Sequence, residues 1–166
     1  MAHFAEIRSD NNEVIRVIVV NDSDVVNNGG NLSTEAETWV ANNHPNDIKL
    51  MQDMGWSEYP NTYWKQCSKQ RLFRKNYPGY GYTYDENKDK FLTPKPYTSW
   101  SLNENDDWQA PINKPKQYIG SDPTLDNVFI EESWDEDNQR WTGIQEETST
   151  NYIWNTSSLE WEVDNG

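Results

Sequence analysis

The sequence predicts a β-rich α+β protein: an N-terminal β-hairpin with short helices, then a train of β-hairpins stapled by Trp and Tyr. Three observations carry that prediction. The densest β-branched run, Glu13-Val14-Ile15-Arg16-Val17-Ile18-Val19-Val20, follows a turn cluster, Ser9-Asp10-Asn11-Asn12. Helical spacing of apolar residues is confined to positions 34–54. Downstream, an aromatic is followed at once by Asp or Asn and, seven places after the first, by a second aromatic; this pattern recurs three times.

In chain order, His3-Phe4-Ala5-Glu6-Ile7-Arg8 alternates weakly and pairs with the β-branched run across the turn. Arg16 interrupts one face, and from Val17 onward both faces are apolar, which predicts a central strand. Positions 21–31 read as a polar, glycine-containing loop. Thr34-Glu35-Ala36-Glu37 has the Ser/Thr-x-x-Glu form of a capping box and opens a helix to about Asn43. Ala36, Trp39 and Val40 form its buried stripe, and Pro45 stops it. Positions 47–54 predict a second helix, with Ile48, Leu50 and Met51 inward and Gly55 as its stop.

The repeat occupies the second half. Tyr84-Asp85 precedes Phe91, Trp134-Asp135 precedes Trp141, and Trp154-Asn155 precedes Trp161. Leu102-Asn103 with Trp108 is a shortened copy, preceded by Trp100. A strand–turn–strand unit sets the two aromatics opposite each other, where cross-strand pairs stabilise a hairpin. The Asp or Asn is placed to accept hydrogen bonds from the turn backbone. Tyr84, Phe91, Trp100, Trp108, Trp134, Trp141, Trp154 and Trp161 are therefore the predicted staples. Thr93-Pro94-Lys95-Pro96 and Ala110-Pro111-Ile112-Asn113-Lys114-Pro115 read as stiff, extended links. Three regions result: 1–72, a β-β-α region; 73–117, a Tyr/Gly turn with aromatic hairpins and Pro-rich links; and 118–166, acidic hairpins.

Only 29 of the 166 residues are Leu, Ile, Val or Phe, against 9 Trp and 9 Tyr. Each aromatic ring buries ~150–250 Å², so a few replace many aliphatics. The expectation is a folded chain with a thin core that leans on a partner or on copies of itself. Fourteen basic and 28 acidic residues give a net charge of −14. Residues 118–166 hold one base, Arg140, and 12 acids. Such a surface repels nucleic acid and anionic membrane, so neither is an expected partner. One cysteine, Cys67, excludes an internal disulfide and a thiolate zinc cluster. With no apolar run of 18 and no basic-then-apolar leader, neither a membrane span nor a secretory signal is expected.

Material for catalysis is sparse. His3 and His44 are the only histidines, and no hydrolase, P-loop or zinc-protease pattern occurs. A Cys67–His44 pair competes with the commoner role of a lone cysteine as a small buried residue. No catalytic residue, no cofactor and no metal is predicted, and the chain does not read as an enzyme. Asp135-Glu136-Asp137-Asn138 concentrates oxygen ligands but lacks the Gly and Glu of a calcium loop, so it reads as a solvated hairpin tip.

The segment 65–75 carries Lys65, Lys69, Arg71, Arg74 and Lys75 and leads into Phe73-Arg74-Lys75-Asn76-Tyr77-Pro78-Gly79-Tyr80-Gly81-Tyr82. Exposed tyrosines there would stack on sugars or bases. In a chain short of aliphatics, filling a sheet core or burying against a protein partner weighs more. Arg71, Phe73, Arg74, Lys75, Tyr77, Tyr80 and Tyr82 are the candidate partner-binding residues.

Several blocks resemble a family of small proteins encoded by marine tailed bacteriophages, the T4-like cyanophages and their relatives. They are Met1-Ala2-His3-Phe4-Ala5-Glu6-Ile7, the strand from Val14 to Val20, the block from Phe73 to Asp85, the block from Phe91 to Asn103 with Trp108 and Ala110-Pro111 after it, and the closing Trp154-Asn155…Trp161 hairpin. Together they cover about half the chain. Residues 42–70 and 117–150 depart from the pattern, being respectively longer and more polar, and an added hairpin. The resemblance implies a non-enzymatic virion structural protein, assembled in the host bacterial cytoplasm and located in the virion. A capsid decoration or cement protein on the particle exterior is the first expectation. A tail-fibre or receptor- and carbohydrate-binding module is the alternative. The implied partners are the major capsid protein, other virion proteins or further copies of the chain.

Overall fold

The computed structural model describes residues 1–120 and 128–166 and divides into two compact units, Met1–Pro94 and Lys95–Gly166. The division falls within the 73–117 region, in the first Pro-rich link. Asp122 and Asp126 of the acidic region lie outside the described residues. The protein is β-rich α+β, opening on a β-hairpin that is followed by short helices and small antiparallel sheets.

In the first unit, β1 (Ala2–Arg8), β2 (Val14–Val20) and β3 (Thr62–Cys67) form an antiparallel sheet in the order β2-β1-β3. The apolar run β2 is therefore an edge strand, not the central one expected. Burial explains the order. β1 buries side chains on both faces: Ala2 and Phe4 on one, Ala5 and Ile7 on the other. By contrast Val19 of β2 remains 48% exposed. The strand β3 has no alternating signature and exists because β1 pairs with it from His3↔Cys67 to Arg8↔Thr62.

One face of the sheet is covered by α1 (Asp22–Asn27) and α2 (Thr34–Asn43) through Val25, Ala36 and Val40. The α1 segment lies inside the 21–31 stretch read as a loop. Asp22 and Asp24 in its first turn suit the positive end of a helix, and Val25 anchors it. The cap of α2 is Ser33, whose hydroxyl accepts from Ala36 N, one residue before the predicted Thr34 box. That shift frees Glu37 for another role, described below. α3 (Ile48–Asp53) is capped by Asp47 and buries Met51, while Ile48 faces outward. It ends in a Schellman motif: Trp56 N donates to Met51 O, Gly55 N donates to Gln52 O, and Gly55 takes φ +81°. The hairpin β4 (Thr83–Asp85)–β5 (Lys90–Leu92) contributes Tyr84 and Phe91 to the core on the other face.

The second unit contains the hairpin β6 (Ser101–Leu102)–β7 (Trp108–Gln109) and the pair β8 (Tyr118–Ile119)–β9 (Val128–Phe129). Its main sheet is a four-stranded meander, β10 (Glu131–Asp135), β11 (Arg140–Gln145), β12 (Thr150–Asn155) and β13 (Glu160–Val163). The predicted pairs meet: Tyr84↔Phe91, Trp134↔Trp141 and Trp154↔Trp161, with ring centroids 5.0, 5.3 and 5.3 Å apart. The turn carboxylates and amides act as expected. Asp85, Asn103, Asp135 and Asn155 each accept backbone N–H bonds from their own turns.

Between the two Trp hairpins, β11 and β12 pair as well. Their equivalent staple position, Ile144↔Asn151, falls on the opposite face because each strand has six residues. Sequence reading therefore finds a repeat of twenty residues where the backbone repeats every ten. Trp100 is not a hairpin staple; it packs edge-on against Trp134 and Trp141, and its own hairpin pairs Leu102 with Trp108. Nor is the second Pro-rich link a free spacer. Its Ile112 carbonyl accepts from Trp141 Nε1 at 3.0 Å, and the adjoining Lys116 carbonyl accepts from Trp161 Nε1 at 2.7 Å. The tryptophans thus share one core with Ala110 and Ile130. Trp134→Ala and Trp141→Ala are expected to be sub-additive in urea denaturation, coupled by ~0.5–3 kcal/mol as contacting residues are. Strict additivity would show that the pair stabilises nothing jointly.

Candidate partner-binding surface

The seven candidate residues lie between β3 and β4, and the chain there is held by its own turn chemistry. Buried Ser68 accepts from Leu72 N through its hydroxyl and from Arg71 N through its carbonyl, each at 3.0 Å. Arg71 sits in the left-handed region at φ +58°. This tight turn pushes Leu72 outward to 80% exposure, with Lys69 and Arg71 exposed beside it. Arg74 and Lys75 are again left-handed, and the Arg74 carbonyl accepts from Phe91 N at 3.0 Å, which lays the segment along β5.

Arg74 does not face outward as expected. Its side chain is 6% exposed, and its guanidinium donates to Glu37 at 2.8 Å, Asp89 at 2.6 Å and the Gln66 carbonyl at 2.8 Å. Glu37 also accepts from Lys65 at 2.8 Å and from Gln66 N at 3.3 Å. A buried carboxylate is tolerated when paired and hydrogen-bonded in this way. Because one partner bonds Gln66 N and the other Gln66 O, the ion pair occupies the edge of β3 where another strand would pair. Burial alone would lower the Arg74 pKa, but the bonds to Glu37 and Asp89 outweigh it and hold it above its ordinary value.

Three of the four tyrosines turn inward. Tyr77, Tyr82 and Tyr84 pack on the core of Ala5, Ile7, Val14 and Phe91, so filling a sheet core is what most of them do. Tyr80 alone remains open, 59% exposed, at a hollow of about 450 Å³ with Ile15, Leu50 and Met54. Phe73 and Lys75 are half-buried. The exposed surface thus comprises Lys69, Arg71, Leu72 and Tyr80. Leu72 was missed because nothing in its sequence neighbourhood marks an apolar side chain as exposed.

Tyr77 OH lies 3.0 Å from His3 Nδ1. Burial, then Lys69 and the N-terminal ammonium nearby, pull the His3 pKa below its ordinary 6.5. Folding therefore favours the neutral ring. The associated stability is complete above pH 6.5 and is lost as the pH falls from 6.5 through the lower folded value. Urea midpoints at pH about 7.5 and about 5 are expected to differ more for the natural chain than for His3→Asn. Equal differences would remove His3 from the pH dependence.

Cys67 and His44 are on opposite faces of the first sheet. Cys67 packs with Tyr84 and Phe91, whereas His44 stacks edge-on with Trp64 and Trp39. Burial pushes the Cys67 thiol up to about 12, leaving it a neutral thiol at pH 7. At the acidic hairpin tip, the Asn138 side chain and backbone bind Asp135 and hold its carboxyl below the ordinary value. Among the described residues, no group of three or more His, Cys, Asp or Glu is arranged to hold a metal ion, and no helix is long and apolar enough to cross a membrane.

No family model, curated protein or solved structure matches the chain. The reading of its function therefore rests on the sequence blocks and on this surface.

Proposed function

We propose that the protein is a non-enzymatic structural component of a phage particle, a decoration or cement protein on the outside of the capsid. The supporting observation is the contrast between its two surfaces. The first unit presents an open hollow lined by Ile15, Leu50, Met54 and the exposed Tyr80, whereas the second presents mainly carboxylates. The apolar Tyr80 hollow suits a protein shell, because Tyr is enriched in buried interface cores. An acidic outer surface keeps a crowded lattice soluble. The sequence blocks that resemble the phage family fit the same setting.

The alternative, a fibre module that stacks sugars on open rings, gains no support from the staples. Trp134, Trp141, Trp154 and Trp161 are buried edge-to-face inside their own unit. Mass spectrometry of purified particles with copy counting tests the proposal. Hundreds of copies per particle are expected; a few or tens would indicate a tail or fibre, and none would overturn the virion reading. Tyr80→Ala is expected to abolish incorporation while leaving the melting temperature of the free chain unchanged. Neutralising the exposed Asp137, Glu146 and Glu147 together is expected to leave incorporation intact.

A further inference from the structure

We propose that the turn at residues 69–72 of one copy seats in a hollow on the outer face of the C-terminal meander of a second copy. The turn is built to project. Ser68 fixes it from below with two hydrogen bonds, and Leu72 is more exposed than any other large apolar side chain among the described residues. Lys69 and Arg71 flank it, and among the described residues neither forms an ion pair. In a chain with twice as many acids as bases, two unpaired cations beside an open leucine form an anchor that lacks its complement.

The same chain carries that complement. Where the middle hairpin turns its staple position outward, it supplies Ile144 and Asn151 in place of two aromatics. A shallow hollow of about 290 Å³ results, lined on that face by Ser133, Thr142, Ile144 and Asn151 and bounded by Glu131 and Asp164, with Gly143 and Tyr152 reaching it from the inner-face positions. The side chains of Glu131 and Asp164 bond no Lys or Arg among the described residues. Leu72 meets the exposed Ile144, and Lys69 and Arg71 meet the two carboxylates. The net charge of −14 keeps other pairs of faces apart, so this contact is selected by sign. Because the two surfaces differ, the contact is heterologous and propagates into a ring or an open chain of copies, as a lattice of decorating subunits requires. None of its residues lines the Tyr80 hollow assigned above to the shell.

A charge swap on the full chain tests the contact. Sedimentation velocity of the natural protein is expected to show mass rising with concentration at about 0.01 M salt. The rise should disappear at about 1 M salt, where the screening length falls from roughly 30 Å to roughly 3 Å. Lys69→Glu with Arg71→Glu makes both surfaces acidic, and Glu131→Lys with Asp164→Lys makes both basic. Each double variant alone should associate at least about tenfold more weakly, and an equimolar mixture should recover association. Unchanged circular dichroism confirms that the variants fold. A natural chain that stays monomeric at low salt overturns the contact, as do association insensitive to salt and a mixture that fails to recover. A monomeric chain that binds anionic vesicles through Leu72 also overturns it, in favour of a lipid surface. Copy counting in particles bears on the virion reading and not on this contact, so the two can fail separately.

Discussion

Gly143→Ala is expected to unfold the C-terminal unit while the first unit stays folded. Gly143 lies on the inner face of β11, between Glu132 on one neighbouring strand and Tyr152 on the other. A Cβ there would stand 2.2 Å from Ile130 Cγ2 and 3.2 Å from the Trp161 ring. Neither neighbour has room to give. Ile130 is buried, and Trp161 is tied through its indole N–H to the Lys116 carbonyl. Overpacking a core costs ~1–3 kcal/mol and occasionally more, and so close an approach places this variant above that range. The glycine is required here for space and not for an unusual backbone angle, which makes the prediction specific. Ile130→Ala removes the obstructing methyl, so the double variant should cost less than the sum of the two single ones. Amide hydrogen exchange resolves the units: loss of protection confined to 95–166 is expected, and protection retained there would refute the steric argument.

Arg74→Ala is expected to destabilise the first unit by about 3–5 kcal/mol, the usual cost of leaving one partner of a buried ion pair. Glu37 would keep Lys65 and Gln66 N, but the guanidinium that bridges it to Asp89 and to the Gln66 carbonyl would be gone. Glu37→Leu combined with Arg74→Met should cost less, because the buried carboxylate and guanidinium go together and the charges left, Lys65 and Asp89, reach water. Urea denaturation of the two variants decides the matter; equal losses would mean that the ion pair itself contributes nothing beyond packing. A consequence for particle studies follows. Loss of incorporation by Arg74→Ala would report on the fold, whereas Tyr80→Ala reports on the surface.

Much of the fold is legible in the sequence wherever the deciding interactions are local. Asp85, Asn103, Asp135 and Asn155 reach backbone donors two to four residues ahead, so their roles follow from adjacent positions. Gly55 ends α3 through bonds that span five residues or fewer. The aromatic staples belong to the same class, because a four-residue turn brings Trp134 opposite Trp141 whatever the rest of the chain does. Composition adds that aromatic rings must supply much of the core: the staples do so in two of the three hydrophobic clusters, and Phe4 and Trp64 do so in the other.

Only the tertiary structure decides which strand is central, which cation faces inward and where a glycine is indispensable. β2 has the strongest strand sequence, yet β1 takes the centre because its residues are buried on both faces once β3, more than fifty positions away, pairs with it. Arg74 reads as one of five similar bases. It is selected for the interior by Glu37, which a one-residue shift of the α2 cap leaves free to meet it. The candidate surface is accordingly smaller than the basic, aromatic block that sequence marks out, since Tyr77, Tyr82 and Tyr84 are claimed by the core. Turn bonds and hairpin pairs are settled by a few successive residues, so sequence determines them. Burial, strand order and ion pairing depend on groups that meet only after the chain has closed long loops, and no local pattern records those meetings.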